Sequence, residues 1–449
     1  MRLDLIEKYD LRVPRYTSYP TAPHFGPSVD GGAYARWLSE LEPTAPLSLY
    51  LHIAYCAEMC WFCGCHTKAT HKYAPVADYL AAVQQEAKLI AHKLPARMKV
   101  DHIHFGGGSP TLLKADDFAQ TLAQLREYYN VTLDADIAVE MDPRTATEEY
   151  VRAMAKAGVT RASIGVQDFA EKVQKAINRI QPYDMTVRVI GWLRDAGISA
   201  INMDLIYGLP YQTVESVVEM AKLAAGLAPS RIALFGYAHV PWMKPHQKLI
   251  PEDALPDMAA RWAQYEAAAD ALLEAGYVRV GLDHFAHPDD PMAKAAEAGA
   301  LHRNFQGYTT DEAPVLIALG ASGIGSLPQG YVANEIAIER YKETVRAGAL
   351  PITRGIAVSG DDKLRREIIE KLMCDMNVDL AEIAELHGLG ADAFDPELAA
   401  LEPLEADGIV LRDGSRLVIT EEGRPLMRAV CAVFDRYLAQ GEARHSKAV

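Results

Sequence analysis

The chain has 449 residues, 50% hydrophobic and 23% charged, an ordinary balance for a globular protein with ample length for a core. Asp and Glu number 60 against 45 Lys and Arg, and the net charge of −15 excludes nucleic acid held by bulk electrostatics. No apolar run is long enough to span a bilayer, and the opening MRLDLIEKYD carries charges where a signal peptide needs an apolar stretch, so a cytoplasmic protein with no membrane partner is expected.

Residues 1–31 form a first section. LRVPRYTSYPTAPHF is rich in Pro, Tyr and Thr and reads as extended, either a loose leader or an arm packed across the body. From about 47 to 285, β-branched-rich runs alternate with helix-period stretches. The strand candidates are LSLYLHI (47–53), VDHIHF (100–105), DIAVEM (136–141), RASIGV (161–166), AINMDLIY (200–207) and RIALFGYAHV (231–240). Amphipathic stretches such as EEYVRAMAKAG and TVESVVEMAKLAAGL lie between them. Repeated strand and helix predict βαβ units and a parallel sheet, curled into a partial (β/α)6 barrel. Such folds place chemistry at the C-terminal ends of the strands. Those ends carry the cysteine loop, Gly106-Gly107-Gly108-Ser109, Glu140 and Asp142, Gln167 and Asp168, Asp204, and Tyr237-Ala238-His239.

The catalytic body is expected over 32–350. HRNFQGYTT (302–310) shows neither strand nor helix period. Over 351–449, three helical segments precede a hairpin with Asp413-Gly414 at its turn, and RPLMRAVCAVFDRYL predicts a last helix. This order predicts a mainly helical, winged-helix-like unit. Its last 95 residues carry 11 Lys and Arg against 19 Asp and Glu, so a cover or interaction role is expected rather than DNA binding.

Four of the six cysteines lie within ten residues, Cys56, Cys60, Cys63 and Cys65 in CAEMCWFCGC, while Cys374 and Cys431 stand apart as small buried apolar residues. Structural zinc, a C-x-x-C redox pair at Cys60 and Cys63, and an iron–sulfur cluster on three thiolates are the available readings. The C-x3-C-x2-C spacing from Cys56 to Cys63 suits the third. Cys63 and Cys65 are one residue apart, awkward for two ligands of one small ion.

LYLHIAYCAEMCWFCGC followed by GGGSPT resembles the opening of radical S-adenosylmethionine enzymes. RYTSYPTA (15–22), VQDF (166–169), NMDLIYGLP (202–210), YAH (237–239) and HRNFQGYTT make the whole chain similar to the oxygen-independent coproporphyrinogen III oxidase family. The sequence departs from that pattern at Ala54-Tyr55, where the family usually has Pro and Phe, and at Ser109, where it usually has Thr. A haem chaperone with the same barrel and another radical tetrapyrrole enzyme are the neighbouring readings.

The resemblance implies that Cys56, Cys60 and Cys63 ligate one 4Fe-4S cluster, with Cys65 near the site but not a ligand. It implies two S-adenosylmethionine molecules. Tyr50, Gly107 and Glu140 would meet the first. Phe62, Gly108, Ser109, Gln167, Arg179 and Asp204 would meet the second, with Ala238 and Ile324 completing the pocket near the first. Plainer readings of Glu140 and Arg179 are a salt-bridged rim carboxylate and a solvated surface arginine. The implied reaction converts two propionates of coproporphyrinogen III to vinyl groups through a 5′-deoxyadenosyl radical. The substrate is an apolar macrocycle with four carboxylates, so Arg15 and Arg303 would flank it and Tyr16 and Tyr19 would line its cavity. An electron donor such as flavodoxin or ferredoxin, an unknown electron acceptor and a monomeric state complete the expectation.

Overall fold

The computed structural model describes residues 3–9, 13–390 and 392–438. The parts of the expected arm and C-terminal unit at 1–2, 10–12, 391 and 439–449 lie outside the described residues. Six parallel strands follow one another in chain order: β1 Leu47–Ile53, β2 Lys99–Gly107, β3 Asn130–Met141, β4 Arg161–Gln167, β5 Ala200–Tyr207 and β6 Arg231–Gly236. The (β/α)6 order expected from the periodicity is therefore present. The sheet also runs further. Val315–Leu319 pairs parallel with β1, and Ile324–Leu327, Gly330–Asn334 and Ile352–Ala357 continue it antiparallel. His284–Ala286 and Val278–Val280 continue the other side, giving a sheet of twelve strands among the described residues.

Alternation along each strand sorts the two faces. Ile137, Val139 and Met141 on β3, or Ala162, Ile164 and Val166 on β4, are buried against the outer helices. Phe105 packs on Phe118 at 4.8 Å between ring centres, joining β2 to the helix Ala115–Tyr128. The opposite residues, among them Tyr50, His104, Glu140, Ser163 and Asp204, face inward and are polar. The helices start on side-chain caps. Thr147 accepts from Tyr150 N–H ahead of Glu148–Ala157, and Thr213 and Ser216 form a capping box ahead of Val214–Gly226.

The segment HRNFQGYTT is a correction to the reading without period. It forms a two-stranded hairpin, His302–Asn304 with Gly307–Thr309, too short for alternation to register. The C-terminal unit contains helices Gly360–Asp375, Leu380–Leu386 and Asp395–Ala406. A three-stranded sheet, Asn377–Asp379, Arg416–Ile419 and Val410–Asp413 in that spatial order, completes the winged-helix-like arrangement. The last helix is shorter than its sequence suggested, Met427–Val433 after a single turn at Arg424–Leu426.

The described part of the arm is packed, which decides between the two readings left open. Leu5, Tyr16 and Tyr19 share one core with Ile368, Leu401 and Phe434. Tyr16 Oη donates to Asp435 Oδ2 at 3.0 Å, and Arg436 N–H donates to Tyr19 Oη at 3.0 Å. Gly26 and Gly355 exchange backbone hydrogen bonds at 2.9 and 2.8 Å, so the arm borders the sheet edge. Cys374 and Cys431 are buried at 5% and 0% exposure, as expected. Among the described residues no helix is long and apolar enough to cross a membrane.

Candidate active site

The loop after β1 is fastened from two sides. Asn178 Nδ2 donates to the Met59 carbonyl at 2.9 Å, and Trp61 N–H donates to the Ile177 carbonyl at 2.9 Å. From the segment after β6, His246 Nε2 lies 2.7 Å from the Cys63 carbonyl, Gln247 Nε2 donates to Phe62 at 2.9 Å and Lys244 Nζ to Cys65 at 3.1 Å. These bonds add to the packing of Trp61 and Phe62 against the apolar cluster of Val173, Ile177, Leu209 and Tyr237.

Each of the three thiols spaced C-x3-C-x2-C receives a donor. Thr67 Oγ1 is 3.3 Å from Cys56 Sγ, Cys65 N–H is 3.3 Å from Cys63 Sγ, and Arg144 Nη2 is 3.2 Å from Cys60 Sγ. Burial pushes the Cys56 thiol up to about 12, against the Thr67 hydrogen bond. A hydrogen bond with the Cys65 side chain brings Cys63 down to about 6, against its own burial. Donors on sulfur favour the thiolate, the form that binds metal. Buried Arg144 Nη1 and Arg179 Nε have no hydrogen-bond partner, leaving donor capacity beside the loop for an anionic group. Among the described residues, no three or more His, Cys, Asp or Glu are grouped to hold a metal ion. Three thiols with donors on their sulfurs fit an iron–sulfur cluster, which is larger than one ion.

A second cluster adjoins the first. Glu140 Oε2 accepts from Gly107 N–H at 3.1 Å, and its Oε1 lies 3.0 Å from His104 Nε2. Burial pushes the Glu140 carboxyl up, but the His104 and Gly107 hydrogen bonds prevail and hold it below the usual range. Tyr50 Oη is 3.1 Å from His52 Nδ1, and its ring lies 5.7 Å from that of His104. Gly107 has φ +105°, and a Cβ there would lie 2.5 Å from His52 Nδ1. A Cβ at Gly108 would meet the Tyr55 carbonyl at 2.4 Å and Thr67 Oγ1 at 2.6 Å. Both positions need glycine for close backbone approach.

On β5, Asp204 accepts from Asn202 Nδ2 at 2.8 Å and from Ser163 Oγ at 3.2 Å. Burial, and next the charge of Glu140, raises Asp204 to about 6. The site thus holds one carboxylate kept ionised and one that protonates readily. Gln167, at φ +70°, ends β4. Arg179 is buried rather than solvated; it donates to Gly165 O at 2.6 Å and to Asp142 Oδ2 at 3.3 Å.

The remaining candidates fall elsewhere. Ser109 turns its hydroxyl toward Thr111 at 3.0 Å and Thr145 at 3.4 Å. The Ala238 carbonyl shares Gln247 with Phe62. Ile324 packs with Phe25, Phe305 and Tyr331 beside the arm. A cavity of about 320 Å³ is lined by Tyr16, Tyr19, Arg303, Phe305, Leu316, Tyr331 and Ile369, among others. Arg303 stacks over Tyr308 at 4.3 Å. Asp283, bonded to His284 at 2.7 Å, also feels the charges of Arg303 and exposed Arg15. Arg428 is buried, and burial followed by Arg15 lowers it to about 10. Sequence reasoning missed Arg144, Arg428, His52, His104, Asn178 and the 244–247 segment. His52 and His104 had a usable signal, as inward positions at period two in LSLYLHI and VDHIHF.

The radical SAM superfamily matches residues 50–224, and the HemN C-terminal domain matches residues 358–426. A protein of Bradyrhizobium diazoefficiens named oxygen-independent coproporphyrinogen III oxidase is 51% identical over 450 residues, covering 100% of both chains. One of the same name from Paracoccus denitrificans is 41% identical, covering 100% of this chain and 99% of its own. The solved coproporphyrinogen III oxidase of Escherichia coli, described as a radical SAM enzyme, matches with a TM-score of 0.92 at 36% identity, over 97% of this chain and 99% of that one.

Proposed function

The chain belongs to the oxygen-independent coproporphyrinogen III oxidase family, and on that premise we propose that it converts two propionates of coproporphyrinogen III to vinyl groups, giving protoporphyrinogen IX in haem biosynthesis. It is a radical SAM oxidoreductase, and its family uses a 4Fe-4S cluster and S-adenosylmethionine. When bound, these groups supply a 5′-deoxyadenosyl radical that removes a β-hydrogen from a propionate. The substrate radical then loses carbon dioxide and one electron, which leaves the vinyl group.

The observation that carries this reading is the convergence of the three-cysteine loop with Glu140, at the C-terminal end of β3, and with Arg179, whose guanidinium reaches both Gly165 O on β4 and Cys60 Sγ. Cys56, Cys60 and Cys63 hold the cluster. Glu140, kept ionised by His104 and Gly107, accepts from the ammonium of a first S-adenosylmethionine, with Tyr50 and Ile324 alongside. Arg179 offers a guanidinium to the carboxylate of a second, near Phe62, Gly108, Ser109, Gln167 and Asp204, while Ala238 completes the pocket near the first. Gly107 and Gly108 let backbone lie against the cofactor. Cys65 stays off the cluster and acts on Cys63.

Substrate carboxylates meet Arg15 and Arg303, whose charges also reach Asp283. Tyr16 and Tyr19 line the approach. We divide the chain into arm 1–31, catalytic body 32–350 and cover 351–449; body and cover have separate cores, although the strand Ile352–Ala357 belongs to the sheet of the body and Ile6 and Val29 of the arm pack in its core. We assign the protein to the cytoplasm as a monomer, reduced by a flavodoxin or ferredoxin and passing the substrate electron to an acceptor of unknown identity.

Mass spectrometry of one anaerobic reaction tests this. Reconstituted protein, reductant, S-adenosylmethionine and coproporphyrinogen III should yield 5′-deoxyadenosine and a product lighter by two formic-acid equivalents. Stable haem binding with no turnover would favour the chaperone reading instead.

A further inference from the structure

Arg144 has no role in the reading above, yet it makes a direct contact with a ligand sulfur. It follows β3 by three residues and grips Asp142, Nε at 3.0 and 3.2 Å from the two oxygens and Nη2 at 2.7 Å from Oδ2. Its own N–H donates to Asp142 Oδ1 at 3.0 Å. The carboxylate thus fixes the guanidinium plane. From that plane Nη2 also reaches Cys60 Sγ at 3.2 Å. Nη1 lies 3.6 Å from exposed Glu58 and makes no hydrogen bond.

The three sulfurs are treated unequally. Cys56 receives a neutral hydroxyl and Cys63 a neutral amide with the charge of Lys244 acting from further off, while Cys60 takes its hydrogen bonds directly from guanidinium groups. Arg179 Nη1 is also 3.5 Å from Cys60 Sγ, a longer contact than the 3.2 Å of Arg144 Nη2. Cys60 is buried, so water does not screen this contact.

We propose that Arg144, anchored by Asp142, tunes the reduction potential of the iron–sulfur cluster by donating a charged hydrogen bond to the Cys60 sulfur. This rests on the cluster reading of Cys56, Cys60 and Cys63. Reduction adds negative charge to the cluster and its sulfurs. A cationic donor stabilises the reduced form more than the oxidised one and so raises the potential. Arg144 is a positioning residue: it acts through the Cys60 sulfur.

The test uses reconstituted full-length protein without S-adenosylmethionine or substrate. Iron and sulfide content, and an EPR-monitored redox titration, are compared for wild type, Arg144→Met and Arg144→Lys. Arg144→Met should keep its iron and show about a tenfold lower ratio of reduced to oxidised cluster at fixed potential, a fall of about 59 mV for a one-electron couple. Arg144→Lys, which keeps charge but loses the anchored fork, should fall between. An exchangeable proton coupled to the reduced wild-type cluster should disappear from the ENDOR spectrum of Arg144→Met. Unchanged potential and proton signal at full iron content would overturn the proposal. So would loss of iron from both variants, which would make Arg144 a support for the loop. A wild-type chain that takes up no iron would instead fail the cluster reading itself.

Discussion

Glu140 and His104 face each other across neighbouring strands with Oε1 and Nε2 3.0 Å apart, and the second oxygen of Glu140 takes the Gly107 amide. A carboxylate in that setting is preorganised and already ionised. Glu140→Gln keeps the shape but loses the charge. Losing a charge-assisted hydrogen bond costs about 1.5–3 kcal/mol, so the Kd for S-adenosylmethionine should rise roughly 10- to 150-fold. Equilibrium dialysis on the iron-loaded protein measures it. An unchanged Kd removes Glu140 from the cofactor site.

The cysteines divide three to one. Cys56→Ser, Cys60→Ser and Cys63→Ser should each abolish the cluster's visible absorbance and all cofactor cleavage. Cys65→Ser should keep the absorbance, because Cys65 meets the loop through its amide and its bond to Cys63 rather than as a fourth ligand. Iron analysis after reconstitution reads both outcomes. Loss of iron in Cys65→Ser overturns the division.

Runs rich in β-branched residues made β1, β2, β4 and β5 legible to within two residues, while β3 begins at Asn130, ahead of the expected 136. β6 stops at Gly236, before the Tyr-Ala-His expected to continue it. The strands from Val315 to Ala357 escaped attention: Val315–Leu319 and Gly330–Asn334 are buried throughout, so no alternation marks them. The cysteine motif located the loop, but its fastening by Asn178 and the 244–247 segment joins positions more than 100 residues apart. Arg144 was invisible for the same reason. A lone arginine two residues after Asp142 carries no pattern; only the folded chain brings Cys60 to it.

Tyr16 was expected to meet substrate, and its hydroxyl is spent on Asp435 at 3.0 Å in a buried contact. Tyr16→Phe removes one partner of a buried carboxylate that keeps Tyr437 N–H at 2.9 Å. The loss should be about 1.5–3 kcal/mol of stability, seen as a lower Tm, with kcat little changed. A fall in kcat at unchanged Tm would return Tyr16 to the chemistry.

Gly108 sits where β2 passes under the cysteine loop. Its N–H donates to the Ile53 carbonyl at 2.7 Å, and Ser109 N–H donates to the Tyr55 carbonyl at 2.8 Å. The Cβ of Gly108→Ala would press on Tyr55 O, Thr67 Oγ1 and Ile53 O, all within 2.7 Å. Two of these are backbone atoms that cannot rotate away. Overpacking of this kind costs about 1–3 kcal/mol, and here the strain falls on the chain carrying Cys56. The variant should fold but lose iron faster to a chelator than wild type. Equal rates would mean the loop relaxes freely.

Glu86 ties the helix Tyr73–Ala91 to the far side of β1. It is fully buried and accepts from Gly320 N–H at 2.7 Å, Asn334 Nδ2 at 2.7 Å and Tyr341 Oη at 2.5 Å. On the same helix, Tyr79 donates to the His52 carbonyl at 2.7 Å, next to the cysteine loop. Burial raises the Glu86 carboxyl from 4.5 to about 7, against those three hydrogen bonds. The folded state therefore holds a proton, between pH 4.5 and about 7, that the unfolded chain releases. Stability contributed by this group is present below that window and declines as pH rises through it, by on the order of 3 kcal/mol. Glu86→Gln removes the titration, though it leaves one of the three donors without an acceptor and lowers stability at acidic pH. Urea midpoints below and above the window should fall further for wild type than for the variant as pH rises. Parallel falls in the two proteins would mean that Glu86 does not titrate there and stays ionised throughout.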